Sequence, residues 1–228
     1  MSCQIIENVV IITSVIDCPK SRSFYTREER LEQTKKTIDT VRFKIPNCFI
    51  LLIDITQFTE EEHNYFNSSC NYVVNCANNN EALYNVRIHD NKSLGEWYYL
   101  LESLKIVQHV CEIYPTIQNV YKISGRYFLD DNFDYSFYNN DKCIVQLVDP
   151  KLWAYACASC LFKVPIDEIE NLYNQLYHNR EKFMQGLCME YFMYGYIMSL
   201  DTSRYIHIDR LGISGMVCAG EKYLISSS

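Results

Sequence analysis

The chain has 228 residues, of which 48% are hydrophobic and 21% charged, with a net charge of −7. That is the balance of one sizeable globular core. Its acidity excludes a nucleic-acid groove, which needs clustered lysine and arginine.

The first element is Val9–Ile16, a continuous apolar run rich in β-branched residues. This pattern predicts a central parallel strand, buried on both faces. Thr13 and Ser14 bring hydroxyls to its end. A polar loop runs from Asp17 to Phe24. Thr26-Arg-Glu-Glu29 is a capping box, so a helix starts there. Leu31, Thr34, Ile38 and Val41 recur at its period. Arg27 and Arg30 stand near its start. They either pair with Glu28, Glu29 and Glu32 on a solvated face or turn to a phosphate. Phe49–Asp54 is the second buried strand and completes a βαβ unit, whose crossover is right-handed by rule. Asp54, at the strand end, takes a ribose hydroxyl or base amide, or else caps the next turn. Thr59-Glu-Glu-Glu62 is a second capping box. Tyr72–Val74 reads as a short strand, and Asn75–Lys92 as a long polar loop.

Lys92-Ser-Leu-Gly-Glu96 opens a helix with Trp97, Leu100, Leu101, Leu104 and Val107 on one face. Its free amides, with Lys92 and Gly95 beside them, favour an anion. The chain then enters the strand Val120–Ser124, breaks at Gly125 and delivers Arg126. A guanidinium there offers a fork of donors that fits a phosphate, or it pairs with a surface acid. Asp130 and Asp131 follow one loop away. In an open α/β sheet, ligands bind beyond the carboxyl ends of the strands. Further on come an aromatic loop (Phe133 to Tyr138), predicted strands at Cys143–Leu147 and Trp153–Phe162, and a helix from Pro165 to about Tyr177. A last helix covers Cys188–Met198, with Glu190 in its first turns. His207-Ile-Asp209 and the glycine-marked loop Leu211–Gly215 close the chain.

Eleven cysteines without framework spacing fit a reduced, cytoplasmic compartment. Cys157-Ala-Ser-Cys160 has no second pair and reads as core rather than zinc or redox chemistry. No apolar stretch is long enough to span a bilayer. Met1–Gln4 leads into an apolar run that is too short, and lacks the basic start, to be a signal peptide. With no repeat and no linker, the chain is expected to be one domain: a nucleotide-binding half over 1–131 and an acceptor-side half over 132–228.

Four segments in order resemble a known family: Ile12-Thr-Ser-Val15, Tyr25–Thr34 through Lys44-Ile-Pro46, Ser93-Leu-Gly-Glu96, and Tyr121-Lys-Ile-Ser-Gly-Arg-Tyr-Phe128. Together with Met189-Glu-Tyr-Phe192 and Leu211–Gly215 they look like a group of GT-A glycosyltransferases. Such proteins occur in large DNA viruses of algae and protists and in bacterial surface-polysaccharide clusters. The resemblance implies a GT-A (Rossmann-like) α/β domain with a mostly parallel central sheet flanked by helices. It implies transfer of a sugar from a nucleotide-diphosphate sugar to a glycan or glycoconjugate acceptor, in the host cytoplasm if the source is viral.

These placements, with the resemblance, suggest roles. Thr13, Ser14, Arg27, Arg30, Asp54, Lys92, Gly95, Lys122, Ser124, Gly125 and Tyr127 are expected to bind the donor, most of them because they stand at the end of a predicted strand or the start of a predicted helix. Most GT-A enzymes hold Mn²⁺ or Mg²⁺ with Asp-x-Asp where this chain has Ser124, Gly125 and Arg126. Arg126 and Lys122 are therefore expected to neutralise the leaving diphosphate. Asp130 with Asp131, or His207 with Asp209, are the remaining metal candidates. Glu190 is the expected base toward the acceptor, or it complements its helix N-terminus. Trp97, Tyr127 and Trp153 are candidates to stack on a sugar or base. Two alternatives remain. One is a degenerate GT-A domain that binds without turnover. The other is a nucleotidyltransferase, disfavoured because Thr13–Phe24 holds no glycine for a phosphate loop.

Overall fold

Strand β1 (Asn8–Ser14) is buried along its whole length, as its unbroken apolar run requires. Helix α1 (Arg27–Lys44) starts at Thr26, where both halves of the capping box form. The chain returns as β2 (Cys48–Asp54). Helix α2 (Glu60–Ser69) begins at the second capping box, on Thr59 and Glu62. Strand β3 is Tyr72–Asn75. In the computed structural model, residues 5–20, 22–219 and 221–225 are described. Met1–Gln4, where the sequence argues against a signal peptide, lie outside them.

The segment expected to be a loop up to Lys92 is not one. It forms a short helix α3 (Asn80–Leu83) that runs into a π-helical turn, Tyr84–Ile88. Asn79 caps it by accepting from Ala82 N. The turn has a nonlocal support that no local pattern reveals, since Arg22 donates to the carbonyls of Val86 and His89. Helix α4 (Lys92–Ile113) follows, capped by Asn91. It leads to β4 (Asn119–Ser124), β5 (Tyr127–Leu129), a one-turn helix α5 (Tyr135–Tyr138) and β6 (Cys143–Val145).

The expected strand Trp153–Phe162 is also corrected. Residues 148–156 form a looped excursion closed by the bridge Leu147↔Cys157, and the strand β7 is Leu161–Pro165. Helices α6 (Ile169–His178), α7 (Arg180–Met184) and α8 (Met189–Ser199) come next, then β8 (Tyr205–His207). The closing glycine-marked stretch is the start of a strand, β9 (Ile213–Ala219), which pairs with β10 (Glu221–Ile225).

Seven strands make one sheet in the order β3-β2-β1-β4-β7-β6-β8. Its first four strands are parallel and β7 alone is antiparallel to its neighbours. The three strands expected to be neighbours are so, with β1 between β2 and β4. A second, three-stranded sheet runs β10-β9-β5. Successive β1 residues feed opposite cores, as strand geometry requires. Val9 and Ile11 pack on the side that holds Trp97, Leu104 and Val107 of α4. Val10 and Ile12 pack on the side that holds Ile38 and Val41 of α1. The molecule is thus a single α/β domain with helices on both faces of a mostly parallel sheet.

Candidate functional site

The parallel register of β1 and β4 sets Thr13 opposite Ser124. Their hydroxyls therefore reach the carboxyl end of the sheet at one level. The chain leaves β4 through Gly125, whose amide donates to Thr13 O at 2.8 Å. This turn lies against a hydrogen bond of 2.9 Å between Ser14 Oγ and Thr34 Oγ1. A Cβ on Gly125 would stand 3.1 Å from Ser14 Cβ and 3.2 Å from Thr34 Oγ1. A side chain there would crowd the turn, so glycine permits the close approach. The next residue, Arg126, is carried over the strand ends.

A cleft of about 480 Å³ opens at this point. One wall is Thr13, Ser14, Ser124, Arg126 and Tyr127. The α4 start contributes Lys92, Ser93, Gly95 and Glu96, the loop after β1 contributes Cys18 and Arg22, and the first turn of α1 contributes Arg30. The C-terminal half closes it with Trp153, Ser159, Cys160 and Glu190. Four cations and two carboxylates thus face one space.

The cations differ in how they are held. Arg30 is buried; its Nε donates to Ser23 Oγ at 2.9 Å and its Nη1 to Val15 O at 3.2 Å. Arg126 is half-buried, with its guanidinium carbon 5.5 Å from the Tyr127 ring centre. Among the described residues no carboxylate forms an ion pair with it. Burial pushes the Tyr127 hydroxyl up to about 12, so it stays a neutral donor rather than a base.

Under the cleft lies a connected polar floor. Lys122 is buried, and its Nζ donates to Ser124 Oγ at 2.9 Å and to Ser159 O at 2.7 Å. Glu96 Oε1 is 3.6 Å from the same ammonium. Ser159 Oγ in turn donates to Glu190 Oε1 at 2.7 Å. A buried ammonium needs such partners, because desolvation is otherwise too costly. Lys122 therefore supports the cleft from beneath rather than lining it. Glu96 and Ser159 escaped the sequence reading as site residues. Glu96 was within reach of it, as the last residue of Ser93-Leu-Gly-Glu96. Ser159 carries no sequence signal, because its place depends on the excursion ahead of β7.

Several expected site residues lie elsewhere. Asp54 is fully buried and faces no cleft. Its Oδ2 accepts from Ile16 N at 3.2 Å and its Oδ1 from Thr56 N at 2.5 Å. Burial pushes its carboxyl above the usual range despite these bonds. It clamps two turns, the capping alternative. Arg27 is drawn away by Glu62, at 2.5 Å. Trp97 is core, its Nε1 donating to Leu176 O. Asp130 accepts from Ser214 Oγ, and Asp131 is fully exposed beside Lys44. His207 and Asp209 are exposed residues on and after β8. None of these four lines the cleft.

The turn that stands where Asp-x-Asp was expected presents a hydroxyl, a glycine and a guanidinium, with an ammonium behind. Hard divalent cations take oxygen ligands, several of them anionic. This donor set does not fit one. Among the described residues, no three His, Cys, Asp or Glu side chains gather to hold a metal. Cys157 and Cys160 are free thiols, pushed up to about 12 and 11 by burial.

No family model matches the chain, and no curated protein matches it by sequence. Solved structures do match by shape. A CTP:phosphocholine cytidylyltransferase from Streptococcus pneumoniae superposes with TM-score 0.56 at 13% identity, over 92% of this chain and 94% of that one. A core-mannan synthase from Aspergillus fumigatus, solved in a Mn/GDP form, gives TM-score 0.53 at 12% identity, over 91% and 73%. A glycosyltransferase that acts in glycosylation of the PBCV-1 major capsid gives 0.45 at 13% identity, over 89% and 81%; that fit is too loose to argue from. At such identities the likeness establishes the fold shared by GT-A glycosyltransferases and nucleotidyltransferases.

Proposed function

We propose that the chain is a glycosyltransferase that takes a nucleotide-diphosphate sugar and passes a hexosyl or pentosyl group to a hydroxyl of a glycan or glycoconjugate. The observation that carries this reading is the cleft at the ends of β1 and β4. It sets an Arg126 without a carboxylate partner among the described residues in one space with Glu190. The first suits a leaving diphosphate, the second an attacking hydroxyl. The fold shared with solved nucleotide-dependent transferases supports it.

In this reading Thr13, Ser14 and Ser124 offer hydroxyls to the donor, and Arg30, Lys92 and Arg126 offer positive charge. As the glycosidic bond breaks, negative charge grows on the diphosphate. A preorganised guanidinium then does more for the transition state than for the bound donor. A divalent ion is not required at this turn, where Arg126 and the buried Lys122 already bring positive charge. Glu190, oriented by Ser159, takes the proton of the acceptor hydroxyl. A cytoplasmic location accords with the free cysteines, and among the described residues no helix is long and apolar enough to cross a membrane. The nucleotidyltransferase reading is weaker because the loop after β1 contains no glycine to wrap a triphosphate.

The test is a thermal-shift screen of nucleotide sugars with and without Mn²⁺, followed by assays of donor hydrolysis and transfer. A ligand that binds only the folded state raises the melting temperature. Donor binding with turnover, unaffected by chelation, is the expected result. Binding without hydrolysis or transfer to any acceptor would make the chain a degenerate binding domain instead.

A further inference from the structure

We infer that an aromatic shelf beside Glu190 is the subsite for the acceptor, and that it takes a pyranoside stacked by its C–H face. This rests on the glycosyltransferase reading. The shelf consists of Trp153 and Tyr155 from the excursion between β6 and β7, and Tyr191 and Tyr194 from the first turns of α8.

Three features set it apart from ordinary surface aromatics. The first is attachment. The base of the excursion is fixed by the Leu147↔Cys157 bridge and by Val148 N donating to Ala156 O at 2.9 Å. Cys157 N then donates to the backbone carbonyl of Glu190 at 3.0 Å. The excursion is thus pinned to the residue proposed as the base.

The second is orientation. Trp153 Nε1 donates to Tyr191 Oη at 2.5 Å, and the two rings meet edge to face at 5.3 Å. Tyr155 meets Tyr194 in the same way at 5.7 Å. Edge-to-face pairs leave ring faces uncovered, and Tyr155 is 70% exposed. The third is strain. Tyr155 has φ of 61°, a left-handed backbone that a tyrosine rarely adopts. Its edge contact with Tyr194 returns only part of that cost, since the ring stands mostly in solvent. Backbone strain that packing does not fully repay is characteristic of binding sites.

The chemistry selects a sugar. Ring faces suit the apolar C–H face of a pyranose, and phenol hydroxyls at the rim suit its hydroxyl groups. Trp153 also lines the cleft that holds Glu190 and Arg126, so a sugar on the shelf is continuous with the donor space. An anionic membrane is disfavoured: the excursion carries one acid, Asp149, against one base, Lys151, and the whole chain has net charge −7.

The protein supplies its own reporter. It has two tryptophans; Trp97 is 2% exposed and Trp153 is 38% exposed. Titration with methyl glycosides and disaccharides of glucose, galactose and mannose should change tryptophan emission saturably for at least one sugar. The change should vanish in Trp153→Phe. Its midpoint should rise about tenfold in Tyr155→Ala, as loss of one aromatic contact implies. The thermal shift by nucleotide sugar should persist in Tyr155→Ala. If nucleotide sugar stabilises the protein but no saccharide alters its emission, the shelf is not an acceptor site, while the transferase reading survives. If saccharides bind and no nucleotide sugar does, the shelf stands and the transferase reading falls. An emission change with phosphatidylcholine vesicles and none with sugars would assign the shelf to lipid and overturn the inference.

Discussion

Arg126 and Glu190 carry opposite charges into one cleft, and their proposed roles leave different kinetic marks. Arg126→Ala should weaken donor binding and slow transfer together. Loss of one preorganised cation is worth on the order of 3 kcal/mol, or about a hundredfold in rate. Arg126→Lys should recover only part, because a point charge cannot bridge two oxygens. Donor affinity equal to wild type in Arg126→Ala would leave the turn after β4 a structural feature alone. Glu190→Gln should bind donor normally and lose turnover, with donor titration and transfer rate measured on one preparation. A wild-type transfer rate would move the base to another group, Glu96 being the other carboxylate on the cleft. The sequence disclosed Arg126 because strand, glycine and arginine are consecutive. It could not place Asp54. Both a ligand-binding acid and a capping acid stand at a strand end, and only Thr56 N and Ile16 N decide between them.

At the scale of elements, what was legible was local. The boxes at Thr26 and Thr59 close within three residues, and both form as read. The long apolar runs of β1 and β2, and the short one of Val120, Tyr121 and Ile123 in β4, announce buried strands. The π-helical turn and the excursion ahead of β7 were misread because distant residues hold them, Arg22 for one and the Leu147↔Cys157 bridge for the other. The three-residue β5 was too short to carry a period. It exists because β9 pairs with it, Tyr127 opposite Gly215. A Cβ on Gly215 would lie 2.4 Å from Arg126 O and 2.7 Å from Tyr127 Cδ1. Gly215→Ala must therefore push β9 from β5. A destabilisation of about 1–3 kcal/mol is expected in urea unfolding, with weaker donor binding because Arg126 and Tyr127 shift. Unchanged stability would mean that the small sheet yields at no cost.

For the whole molecule, stability should carry a pH signature from Lys163. It lies on the antiparallel strand β7, inaccessible to solvent, and donates to Asn140 O at 2.5 Å and Lys142 O at 2.6 Å. Desolvation lowers its ammonium to about 8 from 10.5. Between these values the unfolded chain binds more protons than the folded one, so stability rises with pH across that window. The folded state bears the penalty in full below pH about 8, and it is relieved by up to about 3 kcal/mol near pH 10.5. Urea unfolding of wild type and Lys163→Met at both ends of the window isolates the effect from other titrating groups. The stability difference, wild type minus variant, should grow in favour of wild type at high pH. A difference independent of pH would show that the ammonium is solvated in the folded state.

The place of β1 has a consequence for the chain during its synthesis. Its β2 edge is satisfied by residue 54, but its other edge waits for β4, at residues 119–124. More than sixty residues must emerge while one side of a wholly buried, mostly apolar strand stands open. A bare strand edge is a template for pairing with other chains, and long-range pairings of this kind form slowly. Nascent chains released after α4 should therefore aggregate or engage holding chaperones. Chains released after β7 should not, because that strand covers the far edge of β4. The cleft shares this schedule: Thr13 and Ser124 lie across the late pairing, so no shorter chain can assemble the site.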